Sequence, residues 1–190
     1  MTILPLVIAP DHLLKQISDP VEKVDDELRL LMNNMLQTMY DEHGIGLAAV
    51  QVGVLKRVLV IDLDYKIEHD HNHDHDDHDC GGTTVTHTSP RFFVNPEIVN
   101  FSSETSLYNE GCLSFPGVRS DVIRPRKIKV KFLDYNGVEK TEEMSGLLAT
   151  CIQHEIDHLN GVVFVDHISK LKRDMILKKM VKMKRNEDND

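Results

Sequence analysis

The chain has 190 residues, 41% of them hydrophobic, which suits one ordinary domain with a real core. No apolar run approaches the roughly 18 residues a membrane helix needs, so no membrane association is expected. The first ten residues lack a basic leader and a small-residue cleavage site, and the expected location is cytoplasmic.

The formal charge of −9 is unevenly spread. Glu68, Asp70, Asp74, Asp76, Asp77 and Asp79 carry six negative charges, whereas residues 170–185 are strongly basic. DNA is not among the expected partners. The three cysteines, Cys80, Cys112 and Cys151, form no disulfide framework. In a reducing compartment they read as ligands, nucleophiles or buried fillers.

In chain order, Leu28, Leu31, Met32, Met35, Leu36 and Met39 follow helical spacing and predict a helix over 25–43, with Gly44 as its stop. A glycine-interrupted stretch, 44–51, leads into an apolar run at 57–63 that reads as a buried strand. Residues 68–90 have no apolar periodicity and read as a polar, mobile insertion within the domain. Structure is expected to resume at 91–94. Residues 118–144 read as antiparallel strands, because Ile128, Val130 and Phe132 alternate with Lys127, Lys129 and Lys131. Asn136-Gly137 signals a hairpin with a type I′ turn. A second helix is expected over 145–160, ended by Gly161, and a third from about 169. The fold class is therefore α+β in one domain, 1–190: antiparallel strands around a central helix, with a C-terminal helix.

That central helix carries His154-Glu-Ile-Asp-His158. Positions i and i+4 lie one above the other, so two imidazoles can share one metal ion. Glu155 stays beside such a metal and can move a proton to and from a reacting water. A zinc peptidase of this type would continue to a third histidine two turns on. Gly161 is in place, but Phe164 stands at the final histidine position, and Asp166 and His167 are off spacing. After His158 only a short strand and a lysine-rich helix are expected. Cys112 offers a better third ligand, because it lies in a turn-rich segment where a thiolate can be exposed. A lone cysteine is more often a buried hydrophobe, and Cys151, on the apolar helix face, reads as that case.

Gly44-Ile-Gly-Leu-Ala-Ala-Val-Gln51, Glu110-Gly-Cys-Leu-Ser114 and Gln153-His-Glu-Ile-Asp-His158 resemble, in order, the three signature motifs of peptide deformylases. The resemblance runs from Ile3 into the C-terminal helix, apart from the insertion. It implies a hydrolase that removes the formyl group from the N-terminal formyl-methionine of new polypeptides. It also implies Cys112, His154 and His158 as metal ligands, with Glu155 as the acid–base. Gln51 and the Leu113 N–H would bind the oxyanion. Ile45, Gly46 and Gly111 would meet the substrate backbone, and Arg119 would border the methionine pocket. Glu110 and Arg124 would form a supporting ion pair. The family's usual metal is Fe2+, with Zn2+, Ni2+ or Co2+ tolerated, and one sulfur with two imidazoles suits zinc or ferrous iron.

Two features depart from that pattern. Phe115 stands where a smaller aliphatic residue is common and is expected to reshape the pocket rim. The insertion, with His69, His71, His73, His75, His78, His87 and Cys80, has no catalytic counterpart. It reads as a tolerated surface loop or as a weak auxiliary metal collector. The basic tail reads as a solvated face or as a ribosome-docking surface. Two rival readings of the whole chain are a zinc metallopeptidase and a non-catalytic metal-binding protein.

Overall fold

The computed structural model describes residues 2–69 and 83–187. The first helical pattern forms α1, Asp26–Asp41, capped by the Asp25 carboxylate, which accepts the Leu28 N–H at 3.0 Å. Its stop differs from expectation: His43 takes the left-handed conformation (φ 56°), and the Gly44 N–H donates to Met39 O at 2.8 Å. Gly44 is small for another reason, since a Cβ there would lie 2.7 Å from Leu113 Cδ1.

β1 (Gly46–Ala48) and β2 (Val58–Ile61) follow, separated by a 3-10 turn at Ala49–Val52. β2 is apolar at every position because both of its faces are covered. The segment read as a structureless insertion begins and ends as a ladder. β3 (Lys66–His69) pairs antiparallel with β4 (Thr83–Thr86). Thr83-Thr84-Val85-Thr86 is four β-branched residues in a row, a strand signal that the polar context obscured. Residues 70–82, with His71, His73, His75, His78 and Cys80, lie outside the described residues, and so does the expected metal-collecting role.

The remaining strands are β5 (Arg91–Phe101), β6 (Thr105–Gly111), β7 (Arg119–Pro125), β8 (Lys127–Leu133) and β9 (Glu139–Ser145). A five-stranded antiparallel sheet has the order β1-β2-β5-β8-β9, while β6 and β7 form a separate ribbon. β8 alternates as expected, with Ile128, Val130 and Phe132 buried. The β8–β9 turn is not type I′: of its Asn-Gly pair only Gly137 has positive φ (79°). Instead Asp134 Oδ1 accepts the N–H groups of Asn136 (2.9 Å) and Val138 (3.0 Å), which closes a wider loop.

The motif helix is α2, Gly146–Leu159, and α3 spans Lys170–Glu187. Between them a 3-10 turn, Phe164–His167, stands where a short strand was expected. α2 covers one face of the sheet, with Ile152, Ile156 and Leu159 packed on Leu59, Ile61, Phe93 and Phe132. α1 covers the other, with Met32, Met35 and Met39 against Val58, Val60 and Val94. Each such buried side chain stabilises the fold by roughly 1.5–3 kcal/mol. A third cluster of Phe115, Phe164, Val165 and Met180 seats α3. α2 also meets β7, where the Gln153 amide donates to Pro125 O at 3.0 Å. The architecture is α+β around that helix. No described helix is long and apolar enough to cross a membrane.

Candidate metal centre and cleft

The site forms where the end of β6 meets one face of α2. Helical spacing puts His154 and His158 on one face of α2, their rings edge-on with centroids 5.1 Å apart. Cys112, in the turn after β6, brings its Sγ to 3.2 Å from His158 Nε2. One ligand atom from each of Cys112, His154 and His158 lies within 4.8 Å of the others.

The surroundings prepare these donors. Glu110 Oε2 lies 2.8 Å from His154 Nδ1, which leaves Nε2 as the ring nitrogen that could serve as a ligand. Burial, with the field of His154, pushes the His158 pKa well down, so this ring is held neutral with a lone pair to offer. His158 Nδ1 is buried without a hydrogen-bond partner among the described residues. One sulfur and two imidazole nitrogens fit a zinc- or iron-type divalent ion.

Glu110 is held from its other side as well. Arg124 donates Nε to Oε1 at 2.6 Å and Nη2 to Oε2 at 3.0 Å. Burial favours the protonated acid, but the bonds from His154 and Arg124 outweigh it and bring the Glu110 pKa to about 2. Arg124 Nη1 also donates to Asp157 Oδ2 at 2.7 Å, and His167 Nε2 lies 2.7 Å from the same oxygen. The expected Glu110–Arg124 pair is thus the middle of a network running from the His154 ring to the surface. Asp157 was missed, although a charged residue inside a mostly buried helix was the available signal, and His167 was weighed only as a metal ligand.

Glu155 is 4% exposed, and burial pushes its pKa up to about 7 against the opposing field of His154. Its Oε2 is buried and unpartnered among the described residues. Gly46 explains how it fits: a Cβ there would meet Glu155 Oε1 and Cys151 Sγ, each at 2.7 Å. Cys151 is the buried filler expected, and burial pushes its thiol pKa well up.

Gln51 sits on the 3-10 turn after β1, and its two amide atoms are used separately. Oε1 accepts the Ala48 N–H at 2.8 Å, while Nε2 points at Cys112 Sγ (3.4 Å) and Ser114 Oγ (3.3 Å). The N-terminal segment braces both walls, with Val7 N–H donating to Gln51 O (2.8 Å) and Ala9 N–H to Ser114 O (2.9 Å).

These groups open onto a cleft of about 930 Å³ that also takes in Ile45, Gly111, Leu113 and Arg119. Arg119 stands on the ribbon opposite Gly111, braced by bonds from Nε and Nη2 to Asn109. Phe115 is not at a rim. It touches the cleft but is 2% exposed and packs edge-on against Phe164, which stacks on His154. The peptidase alternative loses its substitute ligands here: Asp166 is engaged by Lys15 and Arg173, and His167 by Asp157.

One sulfur and two imidazoles beside a buried carboxylate, at a cleft that reaches Cys112, His154 and Glu155, are a donor set of the metallohydrolase class. The sequence model of a family described as polypeptide deformylase matches residues 3–174. A peptide deformylase of Rhizorhabdus wittichii is 51% identical over 185 residues, covering 97% of this chain and 97% of the relative. The crystal structure of peptide deformylase from Ehrlichia chaffeensis superposes with a TM-score of 0.82 at 42% identity, covering 98% of this chain and 99% of that one. Its complex with actinonin superposes with a TM-score of 0.82 at 43% identity, covering 97% and 99%. The chain belongs to the polypeptide deformylase family.

Glu110→Gln should remove the charge that pairs with Arg124 and orients His154, and weaken retention of a divalent ion by about 10- to 100-fold. Chelator competition on the folded variant checks this; unchanged affinity would mean the carboxylate does not support the ligand ring.

Proposed function

We propose that this chain is a metal-dependent hydrolase that removes the formyl group from the N-terminal formyl-methionine of newly made polypeptides, releasing formate. The observation that carries the reading is the convergence of Cys112, His154 and His158 beside Gln51 and Glu155. Cys112, His154 and His158 would hold one divalent ion, and family resemblance favours Fe2+. Such an ion, when bound, acts as a Lewis acid and brings the pKa of a water toward about 7.

The chain's own residues do the rest. Glu155, with a pKa near neutrality, takes the proton of the attacking water. As the formyl carbon becomes tetrahedral, its oxygen gains negative charge. The Gln51 Nε2–H and the Leu113 N–H are the donors assigned to that oxygen. The Gln51 amide needs no reorganisation, because its carbonyl is already held by Ala48. The C–N bond then breaks, the amine takes the proton carried by Glu155, and formate departs.

Extended peptide substrate suits the walls of the cleft. Among the described strands β1 pairs only with β2, and β6 only with β7, so each has one free edge. Ile45, Gly46 and Gly111 border the cleft and are assigned to the substrate backbone, with Arg119 beside the methionine pocket. We place the activity in the cytoplasm, where formylated chains emerge from ribosomes.

The purified, metal-loaded protein should hydrolyse formyl-Met-Ala-Ser and leave the unformylated peptide intact. Glu155→Gln should keep its metal and lose about 10²- to 10⁴-fold in kcat. Cleavage of the unformylated peptide, or near-normal turnover by the variant, would contradict the reading.

α3 carries Lys178, Lys182 and Lys184 on exposed positions, and we assign this face to ribosomal RNA. Reversing Lys178 and Lys182 to Glu should weaken co-sedimentation with ribosomes and reduce its salt dependence, leaving deformylation of free peptides unchanged. Co-sedimentation unaffected by both reversal and salt would remove the assignment.

A further inference from the structure

We propose that Tyr65, at the root of the β3–β4 hairpin, is a positioning residue for the peptide substrate: its hydroxyl pins the Gly44 carbonyl and thereby sets the backbone of Gly44–Gly46. The inference rests on the deformylase reading and deepens it.

Gly44, Ile45 and Gly46 line the cleft and are held on their protein side, one peptide group after another. The Gly44 N–H donates to Met39 O at 2.8 Å, and the Ile45 carbonyl accepts the Asp62 N–H at 3.1 Å. Gly46 pairs with Ile61 in the sheet. The Gly44 carbonyl lies between these anchors, and the Tyr65 O–H holds it at 2.8 Å. A peptide group is planar and trans, so its N–H points opposite to its carbonyl. Pinning Gly44 O therefore turns the Ile45 N–H away from Tyr65. That N–H has no partner among the described residues and is suited to a substrate carbonyl.

Tyr65 is itself held firmly. Its ring packs on Tyr40 at a centroid distance of 4.6 Å, and the Tyr40 O–H donates to Asp62 Oδ2 at 2.6 Å. Asp62 is 1% exposed and also accepts the N–H groups of Ser89 (2.8 Å) and Asp64 (3.0 Å). One buried carboxylate so gathers α1, the chain after β2 and the chain after β4 around the Tyr65 ring. Burial pushes the Tyr65 hydroxyl pKa up, which keeps it a donor.

The bond and the ring packing are separable. Tyr65→Phe keeps the ring and removes only the hydroxyl, whereas Tyr65→Leu removes both. With metal content and Tm matched to the unaltered protein, Tyr65→Phe should raise KM for formyl-Met-Ala-Ser about three- to ten-fold, the worth of one net hydrogen bond. Its kcat should stay within about two-fold. Formyl-methionine alone, which offers little backbone to this segment, should show a smaller rise. Tyr65→Leu should show the same KM defect together with a lower Tm. Unchanged KM in Tyr65→Phe would overturn the proposal and leave Tyr65 a packing residue. An equal fall in kcat for both substrates would overturn it too, by placing the effect on the chemistry. Deformylation by the unaltered protein, measured alongside, tests the parent reading separately.

Discussion

Everything at the site depends on the Glu110 carboxylate being buried and paired on both sides. A carboxylate taken out of water without partners is disfavoured by several kcal/mol or more. Here Arg124 from β7 and His154 from α2 supply the compensating bonds. The pairing forces the ribbon against the helix at one point. Cys112 lies two residues beyond Glu110, so the same contact that orients the His154 ring also delivers the Cys112 sulfur. The Arg124–Asp157 bond repeats the clamp one turn later along α2, next to His158. A fork-shaped bidentate ion pair fixes direction as well as distance.

The second constraint is steric. Glu155 has to be buried to have a pKa near 7, yet an approach to the substrate must stay open beside it. Gly46 solves both, since the absence of a side chain lets β1 lie almost in contact with the carboxylate. β1 is in turn fixed by β2, which is buried on both faces between α1 and α2. A rigid sheet edge thus stands on one side of the cleft and a clamped ribbon on the other. Chemistry is placed on elements whose positions are set by the core, with the loops between them braced by the N-terminal segment at Gln51 and Ser114.

What could be read from the sequence followed from how local each signal is. His154 and His158 were readable because a helix turns spacing into geometry without help from the rest of the chain. β8 was readable for the same reason, with lysines marking its outer face. Cys112 was different: its turn-rich segment hinted at exposure, but a lone cysteine is more often a buried filler, and the resemblance of three motifs in order singled it out. The joint role of Asp157 and His167 was hard to read because it comes from Arg124, far away in sequence, and a charge inside a mostly buried helix was the one hint at Asp157. The Asn136-Gly137 turn misled, because Asp134 captures two N–H groups and widens the loop. Gly44 was read as a helix stop, whereas its smallness answers to Leu113, a contact no local pattern contains. Tyr65 gave no signal at all, as a tyrosine beside a polar run carries no periodicity.

The central claim is that the Cys112 sulfur, in the turn after β6, and the two α2 imidazoles close on a single metal ion, with Glu110 orienting His154. Metal-edge X-ray absorption on the anaerobically loaded protein tests it most directly. The account predicts one sulfur scatterer, at about 2.3 Å if the ion is zinc, and two imidazole nitrogens, at about 2.0–2.1 Å for that ion. The sulfur shell should vanish in Cys112→Ser. A first shell of oxygen and nitrogen alone in the unaltered protein, or a sulfur shell that survives the substitution, would contradict it.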